Sequence, residues 1–136
     1  MALISSKLKF IFQIGKAHAY LARRFSSQGL GFGDMAVLYQ ISKASGQKIR
    51  RVDLAEAVGL TASGVTRILV PLEKIGVVKR ESNARDARVS FVTLTESGKE
   101  LLRDSIKSAE VICDDLIPNE KSKKLEQFFE IIERMK

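Results

Sequence analysis

The chain has 136 residues with 45% apolar side chains, which suits one domain or one compact unit with helical extensions. Its single cysteine excludes an intrachain disulfide framework and fits a reducing, cytoplasmic setting. The formal charge of +7 suits a polyanionic partner and is unevenly spread: residues 1–47 carry six basic and one acidic side chain, 48–95 nine and five, and 96–136 eight and ten, so the last stretch is a poor surface for nucleic acid.

From Leu3 to about Phe25 the periodicity predicts a helix. Ile4, Leu8, Ile11 and Leu21 mark one line, and Phe10, Ile14, Ala17 and Leu21 another, giving an apolar surface wider than one neighbour requires. Lys7, Lys9 and Lys16 interrupt it, and no apolar run approaches the roughly 20 residues of a membrane span. No signal-peptide pattern is expected either. A basic amphipathic helix could lie on an anionic membrane; packing between subunits is the favoured reading, with His18 on the packed face. Gly29–Gly33 breaks the pattern. A second helix is expected from Asp34 to about Ala44, capped by Gly33 or Asp34, with Phe32 stapled onto Val37 and Gly46 closing it. Lys48–Arg51 reads as a short strand against a later hairpin, and its charges as phosphate contacts or a solvated face.

Two short helices across a tight turn follow. Val52, Leu54, Ala55 and Val58 supply the apolar side of the first, and Gly59 stops it. Thr61 is placed to N-cap the next helix, about 62–75. There Val65, Ile68, Leu69, Leu72 and Ile75 recur at helical spacing as one buried stripe. At roughly 100° per residue, the opposite face carries Ser63, Thr66, Arg67, Val70 and Lys74. Small polar groups plus an arginine on such a face suit a DNA major groove. Val77–Glu81 and Val89–Thr95 are rich in β-branched residues and predict a hairpin. Its joining segment, 82–88, holds Arg85, Asp86 and Arg88. That loop reads as a wing whose arginine enters the narrow minor groove, or as a solvated turn with an internal Arg–Asp pair.

Thr95 then caps a long helix from Glu96 to about Ile117, with Leu102, Ile106, Ala109, Ile112, Cys113 and Leu116 on its apolar side. Pro118-Asn119-Glu120 breaks it, and Asn119 can cap a last helix bearing Leu125, Phe128, Phe129, Ile132 and Met135 in register. Three apolar terminal helices would leave a monomer with a large hydrophobic patch, which a two-fold dimer buries. The expected fold class is mainly α with a small β-hairpin (α+β). It is a winged helix-turn-helix lobe at 33–95 with helical dimerisation arms at 1–32 and 96–136.

From Leu54 to Leu102 the chain resembles the MarR (multiple antibiotic resistance regulator) family of winged-helix transcription regulators. The resemblance rests on LAEAVGLT, VTRILVPLEKIGVVKR, NARDARV and LTESGKELL. The wing is the most specific part, because the family pattern is Asp-x-Arg-Asp-x-Arg. Asn83 replaces the first aspartate, while Arg85, Asp86 and Arg88 match. Pro71 also departs from the commonest pattern and should bend the recognition helix beyond Val70, leaving groove contacts mainly to Ser63–Arg67. Gly33 stands near a position where the family often has threonine. The resemblance implies control by a small aromatic or phenolic effector bound between the arms and the DNA-binding lobe.

No catalytic constellation is present. His18 and Cys113 stand alone, without metal-ligand spacing, and there is no phosphate-binding glycine loop. Cys113 lies on an apolar stripe, where a small buried thiol is the ordinary outcome. The chain is expected to be no enzyme and to hold no cofactor or metal. It reads as a homodimeric regulator of double-stranded DNA that binds an inverted repeat. Its DNA-binding residues are expected to be Thr61, Ser63, Thr66, Arg67, Arg85 and Arg88. The alternatives are a DNA-architectural protein without sequence preference and a winged-helix protein-interaction module.

Overall fold

The computed structural model describes residues 2–26, 29–117 and 122–135. Its elements are α1 (Ser6–Arg24), α2 (Phe32–Lys43), β1 (Lys48–Arg50), α3 (Arg51–Val58), α4 (Ala62–Lys74), β2 (Val78–Ser82), β3 (Ser90–Leu94), α5 (Glu96–Leu116) and α6 (Ser122–Glu133). The chain is mainly helical, with a small antiparallel sheet in the order β1-β3-β2. Asn119, expected to cap the last helix, lies outside the described residues.

Local chemistry sets most helix ends. Ser5 Oγ accepts the Leu8 N–H at 3.1 Å and so caps α1. The second helix begins at Phe32, earlier than expected, because its cap is Gly31. The Gly31 N–H donates to the Asp34 carboxylate at 2.8 Å. Gly33 therefore sits inside the helix rather than at its cap. Phe32 packs against Phe25, ring centroids 5.5 Å apart. α2 stops at Lys43, and Gly46 takes a left-handed φ of 68° in the one-turn helix that follows. Gly59 ends α3 in the left-handed region, and the Leu60 N–H reaches the Ala55 carbonyl at 2.9 Å. Thr61 caps α4 through the Gly64 N–H at 3.0 Å, and Thr95 caps α5 through the Gly98 N–H at 3.1 Å.

The core forms where α2 is crossed by the other elements. Val37, Leu38 and Ile41 of α2 meet Leu54 of α3, Val65, Leu69 and Leu72 of α4, Val92 and Leu94 of β3, and Leu102 of α5. Two expected core positions fall outside it. Val52 is 56% exposed and Ile75 65%, so the buried side of α3 is Leu54 and Ala55, and the α4 stripe ends at Leu72. α4 runs through Pro71 to Lys74; the proline loses a donor but keeps its carbonyl, which accepts the Ile75 N–H at 3.1 Å. β1 is the extra strand anticipated at Lys48–Arg51, pairing Ile49 with Val92, while Arg80 of β2 pairs Val92 from the other side.

The joint between α4, the sheet and α5 is held by short polar contacts. Gly76 has φ 80°, and its carbonyl accepts from the Thr95 hydroxyl at 2.6 Å and the Ser97 hydroxyl at 3.0 Å. The Val77 carbonyl accepts the Thr95 N–H at 3.1 Å. Buried Gly98 lies directly against that carbonyl, and a Cβ on it would overlap the oxygen.

Towards the ends of the chain the packing thins. None of the 19 residues of α1 is buried within the chain. Leu8, Ile11 and Phe12 are exposed, and so are Phe128, Phe129, Ile131 and Ile132 of α6, with Phe129 at 59%. Arg24 of α1 pairs with Asp115 of α5 at 2.8 Å. His18, expected on a packed face, is exposed at the edge of α1, its ring 6.5 Å from that of Phe32.

Candidate nucleic-acid interface

The outer face of α4 and the hairpin tip carry the residues of interest. Leu72, Leu69 and Val65 anchor one side of α4 in the core, which leaves Ser63, Arg67, Val70 and Lys74 exposed on the other. Arg67 has no ion-pair or hydrogen-bond partner among the described residues, so its full set of donors faces outward. Thr61 and Thr66 have structural duties as well. The Thr61 hydroxyl caps α4 and lies 3.2 Å from the Ser63 hydroxyl. Half-buried Thr66 donates its hydroxyl proton to the Ala62 carbonyl at 3.0 Å.

At the tip, Asn83 Oδ1 accepts the Arg85 N–H at 2.8 Å, the turn role for which the sequence pattern has aspartate. The Asn83 N–H donates to the Val89 carbonyl at 2.9 Å and closes the loop. Asp86 accepts both the Arg88 backbone N–H at 3.0 Å and its Nε at 3.2 Å. The Arg88 backbone N–H, then its guanidinium, holds the Asp86 carboxyl below its ordinary value of 3.8. The internal Arg–Asp pair weighed for this loop thus exists, and it uses Arg88. The side chain of Arg85 has no partner among the described residues.

Three nearby cations are paired with carboxylates: Lys48 with Glu81 at 3.8 Å, Arg50 with Asp53 at 3.1 Å, and Arg80 with Glu73 at 3.4 Å. Arg51 stands apart from these pairs. It lines the cleft between α4 and the hairpin together with Thr66, Val70, Lys79, Ser90 and the paired Glu73 and Arg80. Sequence reasoning did not separate it from its neighbours, because which of two adjacent arginines captures Asp53 depends on the start of α3.

Behind α2 a second recess of about 360 Å³ is lined by Phe32, Met35, Ala36, Tyr39, Ile106 and Cys113. Burial, then Glu110 and Asp114, pushes the Cys113 thiol above its ordinary value of 9.0. Alkylation by iodoacetamide should therefore be slower than for free cysteine at neutral pH, and its rise with pH should level off only above pH 9.0. A labelling rate at or above that of the free amino acid at pH 7 would mean that the thiol is not in this setting. No group of three or more metal-ligating side chains gathers among the described residues, and no described helix is long and apolar enough to cross a membrane.

Residues 33–90, which carry α2 to the hairpin tip, match the MarR family model. Over this lobe the chain resembles the MarR family. It is 24% identical over 133 residues to the HTH-type transcriptional regulator YdgJ of Bacillus subtilis, covering 97% of this chain and 80% of that one. With the transcriptional regulator HosA of Escherichia coli it shares 28% over 99 residues, 71% of this chain and 73% of the relative. The fold is that of BldR from Sulfolobus solfataricus, with TM-score 0.84 at 23% identity over 98% of this chain and 99% of the other. It also matches Sco3205, a MarR regulator from Streptomyces coelicolor solved in complex with DNA, with TM-score 0.83 at 19% identity over 99% and 89%. The sheet and helices α2–α4 thus share the winged-helix arrangement of these neighbours. These relatives and neighbours are transcriptional regulators rather than enzymes.

Proposed function

We propose that the chain is a homodimeric transcription regulator that binds double-stranded DNA in a sequence-specific manner. One observation carries the reading: Arg67 on the outer face of α4 and Arg85 at the hairpin tip are exposed arginines without partners among the described residues. Arginine in that position suits base edges in the major groove for Arg67 and the strong negative potential of the minor groove for Arg85. Ser63 and Thr66 flank Arg67 on the groove side, Thr61 sets the helix start, and Arg88 stiffens the wing through Asp86. Residues 33–95 form the DNA-binding lobe in this reading, and 1–32 and 96–136 the dimerisation arms. Exposed apolar side chains on α1 and α6 support the dimer, because soluble monomers rarely leave so many large apolar side chains on their helices uncovered.

A small aromatic or phenolic effector fits the recess bounded by α2 and α5. Phe32, Met35 and Tyr39 supply apolar walls, and its volume of about 360 Å³ lies in the range of small-molecule sites. The neighbour PcaV, a transcriptional regulator of Streptomyces coelicolor, was solved with its natural ligand, at TM-score 0.81. Such a ligand would act by favouring a dimer whose recognition helices have the wrong separation for DNA.

Selection from random duplexes, with sedimentation at low micromolar concentration, tests the reading. A dimer should emerge with an inverted repeat whose half-sites lie about 10 base pairs apart, centre to centre. It should prefer that site over random DNA by roughly 10³-fold or more. A monomer, or a motif without two-fold symmetry, counts against it. A preference near unity at every salt concentration would favour a DNA-architectural protein instead.

A further inference from the structure

The charge pattern around α3 leaves one cation conspicuously placed. Arg51 is the first residue of α3, where the backbone N–H groups already make the helix end positive. A cation there is at the unfavourable end of the helix dipole. The nearby carboxylates are taken: Asp53 by Arg50 at 3.1 Å, and Glu73 of the same cleft by Arg80 at 3.4 Å. Arg51 pairs with no carboxylate among the described residues.

Its position gives this charge a use. Arg51 lines the cleft it shares with Thr66 and Val70 of α4 and with Lys79 and Ser90 of the hairpin, and also the adjoining one beside Arg88. It thus stands at the floor between recognition helix and wing. When a helix occupies a major groove and a wing the adjacent minor groove, one sugar–phosphate strand must pass between them, since that strand is what separates the grooves. An anion in this gap meets the planar guanidinium fork of Arg51.

We propose that Arg51 seats a backbone phosphate of the DNA strand running between α4 and the wing. The inference rests on the DNA-binding reading above. It gives Arg51 a role different from those of Arg67 and Arg85, because a phosphate contact fixes register without reading sequence.

The test uses the full chain with Arg51→Gln, a duplex bearing the selected site and a random duplex. Affinity for both should fall by the same factor, about ten-fold or more at roughly 0.1 M salt. The log–log salt dependence should become shallower by about 1.8 for a two-fold dimer, from roughly 0.9 per phosphate contact. The melting temperature should stay level or rise, since an unfavourable charge leaves the helix start. Arg51→Lys keeps a point charge and should recover the salt slope but not the whole affinity. Unchanged affinity and slope in Arg51→Gln would overturn the inference. So would a loss confined to the selected site, which is the mark of base reading, or lost binding together with a lower melting temperature in both variants. Failure of the unaltered chain to bind either duplex would instead remove the DNA-binding reading, and this inference with it.

Discussion

Gly98→Ala should be among the most damaging single substitutions in this chain. The new Cβ would overlap the Val77 carbonyl oxygen and lie 2.9 Å from the carbonyl carbon and 3.3 Å from Val77 Cα. All three are backbone atoms, so no side chain can swing away to make room. The same carbonyl accepts the Thr95 N–H, and moving it would strain the end of the sheet as well. The cost should be about 3 kcal/mol, at the upper end for overpacking. For a chain of this size, that lowers the melting temperature by roughly 10 °C. Gly33→Ala is the matched comparison. It also lies within a helix, but a Cβ there would make an ordinary contact of 3.6 Å with Ile68 Cδ1. It should be neutral or stabilise by up to about 1 kcal/mol. Thermal unfolding of both variants decides the point, and equal melting temperatures would refute the close approach of α5 to Val77.

The second large effect divides two arginines by what they read. Arg67→Ala should weaken DNA binding and relax base preference at the centre of each half-site. Arg85→Ala should weaken binding at the outer edges of the site and leave those central preferences mostly intact. A contact of this kind is worth about 1–3 kcal/mol, and a two-fold dimer loses it twice, so each variant should bind about 2–6 kcal/mol more weakly if the copies add. Neither should alter folding by more than about 0.5 kcal/mol, because both side chains are exposed and without partners among the described residues. DNA titration against sites randomised one position at a time, with thermal unfolding as a control, separates the two. Normal binding by Arg85→Ala would remove the wing from the interface.

Features governed by near neighbours in the chain were legible in advance. Gly59 as a helix stop and the caps of Thr61 and Thr95 depend on contacts three or four residues away, which a sequence displays directly. The apolar stripe of α4 was equally plain, because Val65, Leu69 and Leu72 repeat at the helical period. The start of α2 was not, since its cap is a glycine with no side chain of its own and the contact is made backwards by Asp34. Periodicity also overextended the buried sides to Val52 and Ile75, for it marks a helix face without saying where the neighbouring element ends. Nothing in the sequence marks Gly98, because its constraint comes from Val77, far off in the chain. Within the proposed site, residue types were readable. The choice of Arg88 over Arg85 as the partner of Asp86, and of Arg50 over Arg51 as that of Asp53, depended on backbone directions that no spacing rule supplies.

The joint at Gly76 has a mechanical consequence. Two hydroxyls from the start of α5 grip one carbonyl at the exit of α4, and Gly98 is pressed against the next carbonyl along. An elbow built this way has no slack. A torque applied to the near end of α5 should then reach α4 as rotation of a single body, instead of being absorbed by a compliant turn. The long α5 would then serve as a lever arm, its 21 residues, at about 1.5 Å each, setting how far a small displacement at one end re-aims the helix at the other.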